Sequence, residues 1–383
     1  MAQAAFVAPS ALVDGQSQLD SGASVWPHAQ VIASVIGEKS NIQDNARIIR
    51  SQIGPGVTVG HNAVIEDSVI HGPGLVAMNA VVKKSVLEPW SAVGANAVVE
   101  NETVPSYTLW VGKTRNERNP RSLLKPEELA LIRRGAAALR PYSAPLHIHR
   151  RLIIKPIGRA LFNYPEYVKL SKDYQQILGA LNKSPDVMEM LGYRLKKEGA
   201  NIVRQLMQVF DTPYSDAMAH LITLSEKGVY ILPYFKTFGQ SATRNPQSAI
   251  PNLQSAIELL WPRIEASAQL APGVCVFGNV RIGANSICES GVSLRGDYDQ
   301  ITIGSGVHIY AHASIHTNFE RPCVIEDAAS IGEGTVVHAC TVRQKARVGT
   351  HVTLLDGSSV EAEAQTPNDV VLGYDKIFPA KTA

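Results

Sequence analysis

The chain has 383 residues, 45% of them hydrophobic, and its 36 basic and 34 acidic residues leave a formal net charge of +2. This balance argues against nucleic acid as the main partner, because nucleic-acid-binding surfaces carry a strong excess of positive charge. No stretch of about 18 apolar residues occurs, so the sequence predicts no transmembrane segment.

The first twenty residues, MAQAAFVAPSALVDGQSQLD, contain neither an apolar signal core nor an arginine. We therefore expect neither a secretory signal nor an arginine-rich transit peptide here, and we assign residues 1–23 to an N-terminal extension. The four cysteines lie in the last third of the chain and form no CxxC pair. They predict reduced thiols in a cytosolic or organellar compartment rather than a disulfide framework.

A six-residue rhythm begins near residue 31 and stops near residue 112. Each hexapeptide starts with an aliphatic residue and has a small residue at its fifth place, as in IGPGVT (53–58) and VGHNAV (59–64). This period is neither helical nor a simple alternation; it fits a triangular parallel β-helix with one short strand per hexapeptide and about three hexapeptides per coil. We expect residues 24–137 to form a first left-handed β-helix that ends in an α-helix, predicted over residues 122–141.

The period changes between residues 138 and 267. Stretches such as SPDVMEMLGYRLKKEGANIVRQLMQVF (184–210) and PYSDAMAHLITLSEKGVY (213–230) show helical spacing behind serine or proline start signals. LQSAIELLWPRIEASA (253–268) predicts a last short helix. We expect residues 138–267 to be an α-helical insert.

The hexapeptide rhythm then resumes, for example in IGANSI (282–287) and IGEGTV (331–336). We assign residues 268–383 to a second left-handed β-helix. The predicted fold is therefore mainly β: two left-handed parallel β-helices of hexapeptide repeats joined by an α-helical insert.

Several segments resemble the gamma-class carbonic anhydrases. SLRGDYDQITIGSGVHIYAHASIHT (293–317) resembles the family's arginine-glycine-aspartate segment and its first zinc histidine, and IGEGTVVHAC (331–340) resembles the segment with the other two. NIQDNARI (41–48) and VTVGHNAVIED (57–67) resemble the same two places in the first β-helix. The resemblance covers roughly residues 20–137 and 268–380. It implies a trimer in which each zinc lies between two protomers, one giving two histidines and its neighbour the third.

Each β-helix departs from this pattern in a different way. In the first, Ile49 and Glu66 stand where the two-histidine side should be, and only His61 remains. In the second, His316 and His338 remain, but Glu333 replaces the single histidine. The losses are complementary, so we predict one shared zinc site formed by His61, His316 and His338. Whether the two β-helices meet within one chain is left open by the sequence.

The resemblance also suggests residues around the zinc. Gln43 and Asp44 stand in the first β-helix, and the second replaces them with Tyr310 and Ala311. We place Gln43 one coil below His61, three hexapeptides earlier, where it would orient hydroxide or bicarbonate. Arg295 and Asp297 are further candidate catalytic residues that would also hold the interface. Asp44 and Arg295 resemble the two ends of an ion pair between protomers.

The resemblance leaves three functions open. The first is an accessory subunit of mitochondrial respiratory complex I, on the matrix side of the inner membrane. It would fill two places of a pseudo-trimer completed by another carbonic-anhydrase-like subunit, with residual carbonic anhydrase activity left open. The second is a free zinc carbonic anhydrase, for which a cytoplasmic location is the alternative. The third is a hexapeptide-repeat acyltransferase, which would not explain the complementary site residues.

Overall fold

The computed structural model describes residues 5–8, 10–112, 122–123, 203–204, 207, 212–237, 257–318 and 321–380. The first β-helix contains nineteen short strands. In chain order they are β1 (Phe6–Val7), β2 (Leu12–Val13), β3 (Gln18–Leu19), β4 (Ser24–Val25), β5 (Gln30–Ile32), β6 (Val35–Ile36), β7 (Asn41–Ile42), β8 (Arg47–Ile49), β9 (Gln52–Ile53), β10 (Val57–Val59), β11 (Val64–Glu66), β12 (Val69–Ile70), β13 (Gly74–Val76), β14 (Val81–Lys83), β15 (Val86–Leu87), β16 (Ala92–Val93), β17 (Val98–Glu100), β18 (Thr103–Val104) and β19 (Thr108–Trp110).

Every third strand belongs to the same face of a triangular prism. The first face contains β1, β4, β7, β10, β13, β16 and β19, and the second and third faces contain β2 and β3 with their successors, all paired in parallel. Val57 pairs with Gly74 and Val64 with Val81, so one coil here is a single residue shorter than three hexapeptides. The predicted parallel β-helix architecture is confirmed, while its handedness stays a prediction.

The interior of this prism consists of stacked aliphatic columns. One column at the third face contains Ile36, Ile53, Ile70 and Leu87, all essentially without solvent exposure. The turn after each second-face strand contains a serine ladder: the Ser51 amide donates to Ser34 Oγ at 3.0 Å, and the same pattern recurs at Ser68 and Ser85. These contacts satisfy backbone groups inside a narrow prism, which explains why small residues recur there.

The remaining strands lie in or beside the second β-helix. In chain order they are β20 (Ser122–Leu123), β21 (Tyr230–Leu232), β22 (Tyr234–Thr237), β23 (Ile257–Leu260), β24 (Arg263–Ile264), β25 (Gln269–Leu270), β26 (Cys275–Ile282), β27 (Ile287–Cys288), β28 (Ser293–Ile303), β29 (His308–Ile309), β30 (Ser314–His316), β31 (Cys323–Ile325), β32 (Ser330–Ile331), β33 (Val336–His338), β34 (Thr341–Val342), β35 (Arg347–Val348), β36 (Thr353–Leu354), β37 (Ser359–Val360), β38 (Val371–Leu372) and β39 (Ile377–Phe378). The exception is β20, which pairs antiparallel with β19 of the first β-helix.

The second β-helix is less regular than the first. The long strands β26 and β28 run around a corner and join two faces into one sheet, while β25, β27, β29, β32 and β35 form the other face. Ser293 pairs with Ser314 and Ser314 with Val336, so these two coils are longer than three hexapeptides. The extra residues of the first coil lie within β28, where its pairing with β26 shifts register, and those of the second follow β30, next to one of the predicted zinc ligands.

A helix, α1 (Asp216–Glu226), covers the beginning of the second β-helix. Ser215 caps it by accepting a hydrogen bond from the Met218 amide, and its buried side chains join the core of the second β-helix. β21 adds a parallel rung on β26. Such a cap protects an edge that would otherwise be open to further strand pairing.

Several predictions about the elements between the β-helices need correction or lie outside the described residues. The helix predicted within 213–230 is confirmed by α1, but the helix over 253–268 is wrong, because β23 and β24 occupy its described part. Short apolar runs fit either period, which caused this error. Ser122–Leu123 is a strand, and the rest of the helix predicted over 122–141 lies outside the described residues, as does most of the insert.

Strands β1 to β3 form a first coil within residues 1–23, so the described part of this segment belongs to the β-helix rather than to a separate extension. The four cysteines are free and buried. Burial raises the pKa of the Cys288 and Cys323 thiols to about 12, so these two are unreactive core residues. Within the described part of the chain, no helix is long and apolar enough to cross a membrane.

Candidate metal centre

The three predicted ligand histidines come from both β-helices, one from the first and two from the second. His316 and His338 end β30 and β33, and their Cα atoms pair directly across adjacent coils. The residue before each of them is a buried aliphatic of the core, and strand alternation turns the histidine outward. His61 stands two residues after β10, in the corner between the first and second faces. Gly60 precedes it, and a Cβ there would lie 2.6 Å from the Met78 amide nitrogen.

The structure brings these side chains together within one chain. One ring nitrogen from each of His61, His316 and His338 lies within 4.8 Å of the other two. His316 Nδ1 and His338 Nε2 are 3.2 Å apart, and the His61 ring centroid is 5.4 Å from that of His316. The described part of the two β-helices contains no other such cluster of potential ligands.

A column of asparagines joins the β-helices around this cluster. Four residues, one in each successive coil, adopt left-handed corner conformations, with φ between 56° and 59°: Asn45, Asn62, Asn79 and Asn96. Their side-chain amides donate across the interface to Ser314 Oγ (3.0 Å), the Gly334 carbonyl (2.6 Å), Thr353 Oγ1 (2.9 Å) and the His351 carbonyl (2.6 Å), respectively. The question left open by the sequence is therefore answered: the two β-helices meet within one chain.

Asp44 connects His61 to the second β-helix. Its Oδ2 lies 3.1 Å from His61 Nδ1 and 3.2 Å from Arg295 Nη2, and its Oδ1 accepts a 2.7 Å hydrogen bond from Ser293 Oγ. The contact between Asp44 and His61 joins two side chains that are both almost fully buried. The arrangement contains the Asp44–Arg295 pair that the resemblance suggested. Both side chains are almost fully buried, which makes each depend on the other.

One aromatic and one acidic residue complete the surroundings of the histidine cluster. The ring of Trp26, from the first β-helix, lies 4.3 Å from the Arg295 guanidinium carbon in a cation–π contact. Asp356 accepts a hydrogen bond from His338 Nδ1. Neither residue was predicted. The first contact joins positions far apart in sequence, and the second depends on how coils stack, so no local motif announced either of them.

The pKa values favour neutral histidine next to ionised carboxylates. Burial raises the pKa of Asp44, but Arg295 and His61 outweigh it, and the pKa lies well below its usual value. Burial lowers the pKa of His61 more than Asp44 raises it. Burial also raises the pKa of Asp356, but the hydrogen bond and charge of His338, the hydrogen bond from Asn318 and the charge of Arg321 together lower it below its usual value. At neutral pH, His61 therefore carries a lone pair.

These residues fit a zinc ion. His61 Nε2 is buried and has no hydrogen-bond partner among the described residues. Two ligand nitrogens on a tetrahedral zinc lie about 3.3 Å apart, which matches the 3.2 Å between His316 and His338. Asp44, Asp356 and Arg295 together give the surroundings a net charge of −1, which favours a cation.

The other predicted site residues have different outcomes. Gln43 does not lie one coil below His61: Ile42 pairs with Val59, so the coil is a single residue shorter than we expected and Asp44 takes that place. The backbone of Asp297 lies in β28, but its side chain is outside the described part. Roles for Gln43 and Asp297 stay predictions. Glu333 is exposed at the corner of the second β-helix that corresponds to the His61 corner.

In the first β-helix, ion pairs occupy the face that corresponds to the His316–His338 pair. Ile49 and Glu66 pair across adjacent coils, as His316 and His338 do. Arg50 Nη2 lies 2.7 Å from Glu66 Oε1, and Lys83 Nζ lies 3.5 Å from Glu66 Oε2. This face therefore offers no histidine pair.

The fold and the cluster define a hexapeptide-repeat parallel β-helix protein with a three-histidine centre between two β-helices. No family model matches the chain. It is 38% identical over 109 residues to "Gamma carbonic anhydrase 2, mitochondrial" of Arabidopsis thaliana, covering 27% of this chain and 39% of that protein. "Gamma carbonic anhydrase 1, mitochondrial" of the same organism is 37% identical over 125 residues, with coverage of 31% and 46%.

The match thus spans less than half of those relatives. A solved hexapeptide transferase family protein from Anaplasma phagocytophilum is 31% identical, covering 30% of this chain and 68% of that one with a TM-score of 0.29, which does not establish a shared architecture. The sequence matches and the residues above agree in direction: over the matched segments, this chain is similar to gamma carbonic anhydrases.

Proposed function

We propose that the chain holds one zinc ion between His61, His316 and His338 and hydrates carbon dioxide there. The observation that supports this is the convergence of the three ring nitrogens within 4.8 Å, although each β-helix alone has an incomplete set. His61, His316 and His338 would hold the ion as neutral imidazoles, and zinc so held would make hydroxide available near neutral pH.

The chain's own residues prepare this site. Asp44 and Asp356 each face the Nδ1 atom of a ligand histidine, which leaves the Nε2 lone pair of His61 and His338 for the metal. Arg295 lies 3.4 Å from His316 Nδ1 and is held by Asp44 and Trp26. Because Asp44 balances its charge, Arg295 does not leave the site net positive.

The site is closed on one side and open on the other. The side chains of His61 and Asp44 are each 1% exposed, whereas those of His338 and Asp356 are each 13% exposed. Carbon dioxide would therefore enter beside His338, and the interface would keep bulk water from the His61 side. A small apolar substrate needs only such a narrow opening.

Metal analysis and stopped-flow kinetics on the full chain test this function. We expect about one zinc per chain, and hydration that is lost after chelation and restored by added zinc. A purified chain without zinc would contradict the site. A chain that retains zinc but does not accelerate hydration would contradict the enzymatic role and leave the metal with a structural one.

A second proposed role is assembly. In this role the chain would be a carbonic-anhydrase-like accessory subunit of mitochondrial respiratory complex I. It would lie on the matrix side of the inner membrane and fill two places of a pseudo-trimer. The names of the similar Arabidopsis proteins contain "mitochondrial", which favours this location over the cytoplasm. The face of the first β-helix that carries Glu66 and its ion pairs is also accessible to a third, related subunit, since the Arg50 and Lys83 side chains there are 52% and 43% exposed.

Native separation of detergent-solubilised mitochondria tests the assembly role. A chain carrying an affinity label should migrate with complex I and with one further carbonic-anhydrase-like protein. Recovery of the chain alone in the soluble fraction would contradict this role without affecting the zinc site.

A further inference from the structure

Asp356 lies directly beside the two stacked ligand histidines. It follows β36 in the turn one coil beyond His338, where Val337 pairs with Leu354. One carboxylate oxygen, Oδ1, accepts the hydrogen bond from His338 Nδ1, and the other, Oδ2, accepts one from Asn318 Nδ2. Both oxygens are thus used, each toward a different segment of the site.

The first of these bonds fixes the tautomer of His338. A carboxylate accepts hydrogen bonds, so Nδ1 must carry the proton, and Nε2 must then present its lone pair. His338 Nε2 is the atom that lies 3.2 Å from His316 Nδ1. Without Asp356, the imidazole would be free to protonate Nε2 instead, and that atom could not bind a metal.

The second bond holds the loop that follows His316. Asn318 and Arg321 exchange backbone hydrogen bonds, and Arg321 Nη1 donates to Asp375 Oδ1 at 3.3 Å. Asn318 is two residues from His316. Asp356 therefore contacts His338 directly and restrains the segment that begins at His316.

The two β-helices differ one coil further on. In the first, Lys83 pairs directly with Glu66. In the second, the pairing of Val337 with Leu354 puts Leu355 opposite His338 and places Asp356 one residue later. Asp356 therefore stands just past the strand, where its carboxylate reaches His338 Nδ1.

We propose that Asp356 is a positioning residue of the metal centre: it fixes the Nδ1–H tautomer and the orientation of His338 and ties the loop after His316 to the same carboxylate. Its effect on the metal rests on the proposed zinc function. Its effect on the tautomer does not, because that is a property of the protein itself.

The test uses the full chain with two substitutions. Asp356→Leu removes the acceptor at similar size, and Asp356→Asn keeps an oxygen that can accept from Nδ1. Asp375→Asn is the matched control, because it changes the other carboxylate that holds the same loop. Circular dichroism checks that each variant is folded.

Two measurements follow. In the zinc-stripped protein, nitrogen NMR of the histidine rings should show the Nδ1–H form of His338 in the wild type and in Asp356→Asn, and loss of its dominance in Asp356→Leu. In the zinc-loaded protein, release of zinc to a chelator should be about 10- to 100-fold faster in Asp356→Leu. It should change only a few-fold in Asp356→Asn and not at all in Asp375→Asn.

An unchanged His338 tautomer in Asp356→Leu would overturn the proposal, as would equal zinc release from that variant and the wild type. If the wild type bound no zinc, the proposed function would fail, yet the NMR result would still decide the role of Asp356.

Discussion

The two β-helices present the same face with different chemistry. In the second, His316 and His338 pair across adjacent coils with Asp356 behind them. In the first, Ile49 and Glu66 pair in the same register, and Arg50 and Lys83 compensate the carboxylate of Glu66. One face carries the two histidines of the candidate metal centre, and the other is an exposed ion-pair network.

The core explains why such different faces share one fold. Ile48 and Ile65 in the first β-helix, and Ile315 and Val337 in the second, are fully or almost fully buried next to the differing residues. Because strand neighbours alternate between inside and outside, outward residues can change completely while the aliphatic columns remain. A β-helix can thus lose its site without losing stability, and a second one can supply what is missing.

The largest effect is expected from His61→Ala, which removes the one proposed zinc ligand among the described residues of the first β-helix. Zinc affinity should fall by at least about 1,000-fold, equivalent to about 4 kcal/mol, because two histidines cannot hold zinc as three do. Circular dichroism should be unchanged. His351→Ala, an exposed histidine of the second β-helix, is the control. Full zinc occupancy in His61→Ala would refute the shared site.

A large loss of stability is expected from Asp44→Ala. Arg295 would stay buried without its carboxylate, which typically costs about 3–5 kcal/mol. Asp67→Ala is the matched control, since it breaks an exposed aspartate–arginine contact within the first β-helix and should have little effect. Urea unfolding followed by tryptophan fluorescence measures both. Equal stabilities would mean that the buried pair does not hold the β-helices together.

The free energy of unfolding should depend on pH through His28. This residue occupies the same left-handed corner position as Asn45, one coil earlier. Burial lowers the pKa of His28 to about 4, with Asp44 opposing and His312 reinforcing the shift. The unfolded chain therefore binds more protons between pH 6.5 and 4, and the free energy of unfolding should fall as the pH drops through that window. The loss should be on the order of 2–3 kcal/mol.

His28→Asn should flatten that part of the curve, because asparagine tolerates the same positive φ and does not titrate. Urea unfolding at several pH values gives the two curves. If the variant and the wild type lost stability in parallel, His28 would not be the group responsible.

The architecture could be predicted from the sequence because each hexapeptide contributes one aliphatic residue that points into the core of the prism. The length of a coil was harder to predict, since three full hexapeptides are one residue longer than a coil of the first β-helix. That single residue moved the position below His61 from Gln43 to Asp44. The signal was available in the asparagine column, because Asn45, Asn62, Asn79 and Asn96 repeat with this shorter spacing.

Other features depend on three-dimensional proximity. The clustering of His61, His316 and His338 could be predicted because the complementary losses in the two β-helices matched a resemblance; that they bind zinc stays a prediction. The contact between Trp26 and Arg295 could not, because it depends on how one β-helix docks on the other. Asp356 became relevant only when the stacking of the coils placed it next to His338. Residues 257–264 were assigned to a helix because apolar runs this short carry no clear period.

The smallest effect is expected from restoring histidines to the first β-helix. Ile49→His with Glu66→His would recreate a stacked pair in the register of His316 and His338. Its third ligand would have to come from a corner equivalent to that of His61, and the second β-helix has Glu333 there. The number of tightly held zinc ions should therefore stay at one per chain, and any second ion should bind at least about 100-fold more weakly.

Zinc titration of the double variant measures this, and the same changes combined with His61→Ala serve as the control. Two tightly held ions in the double variant would show that this face already has a neighbour able to complete it. The same result would mean that the ion-pair network of Arg50, Glu66 and Lys83 covers an interface within the assembly of this chain.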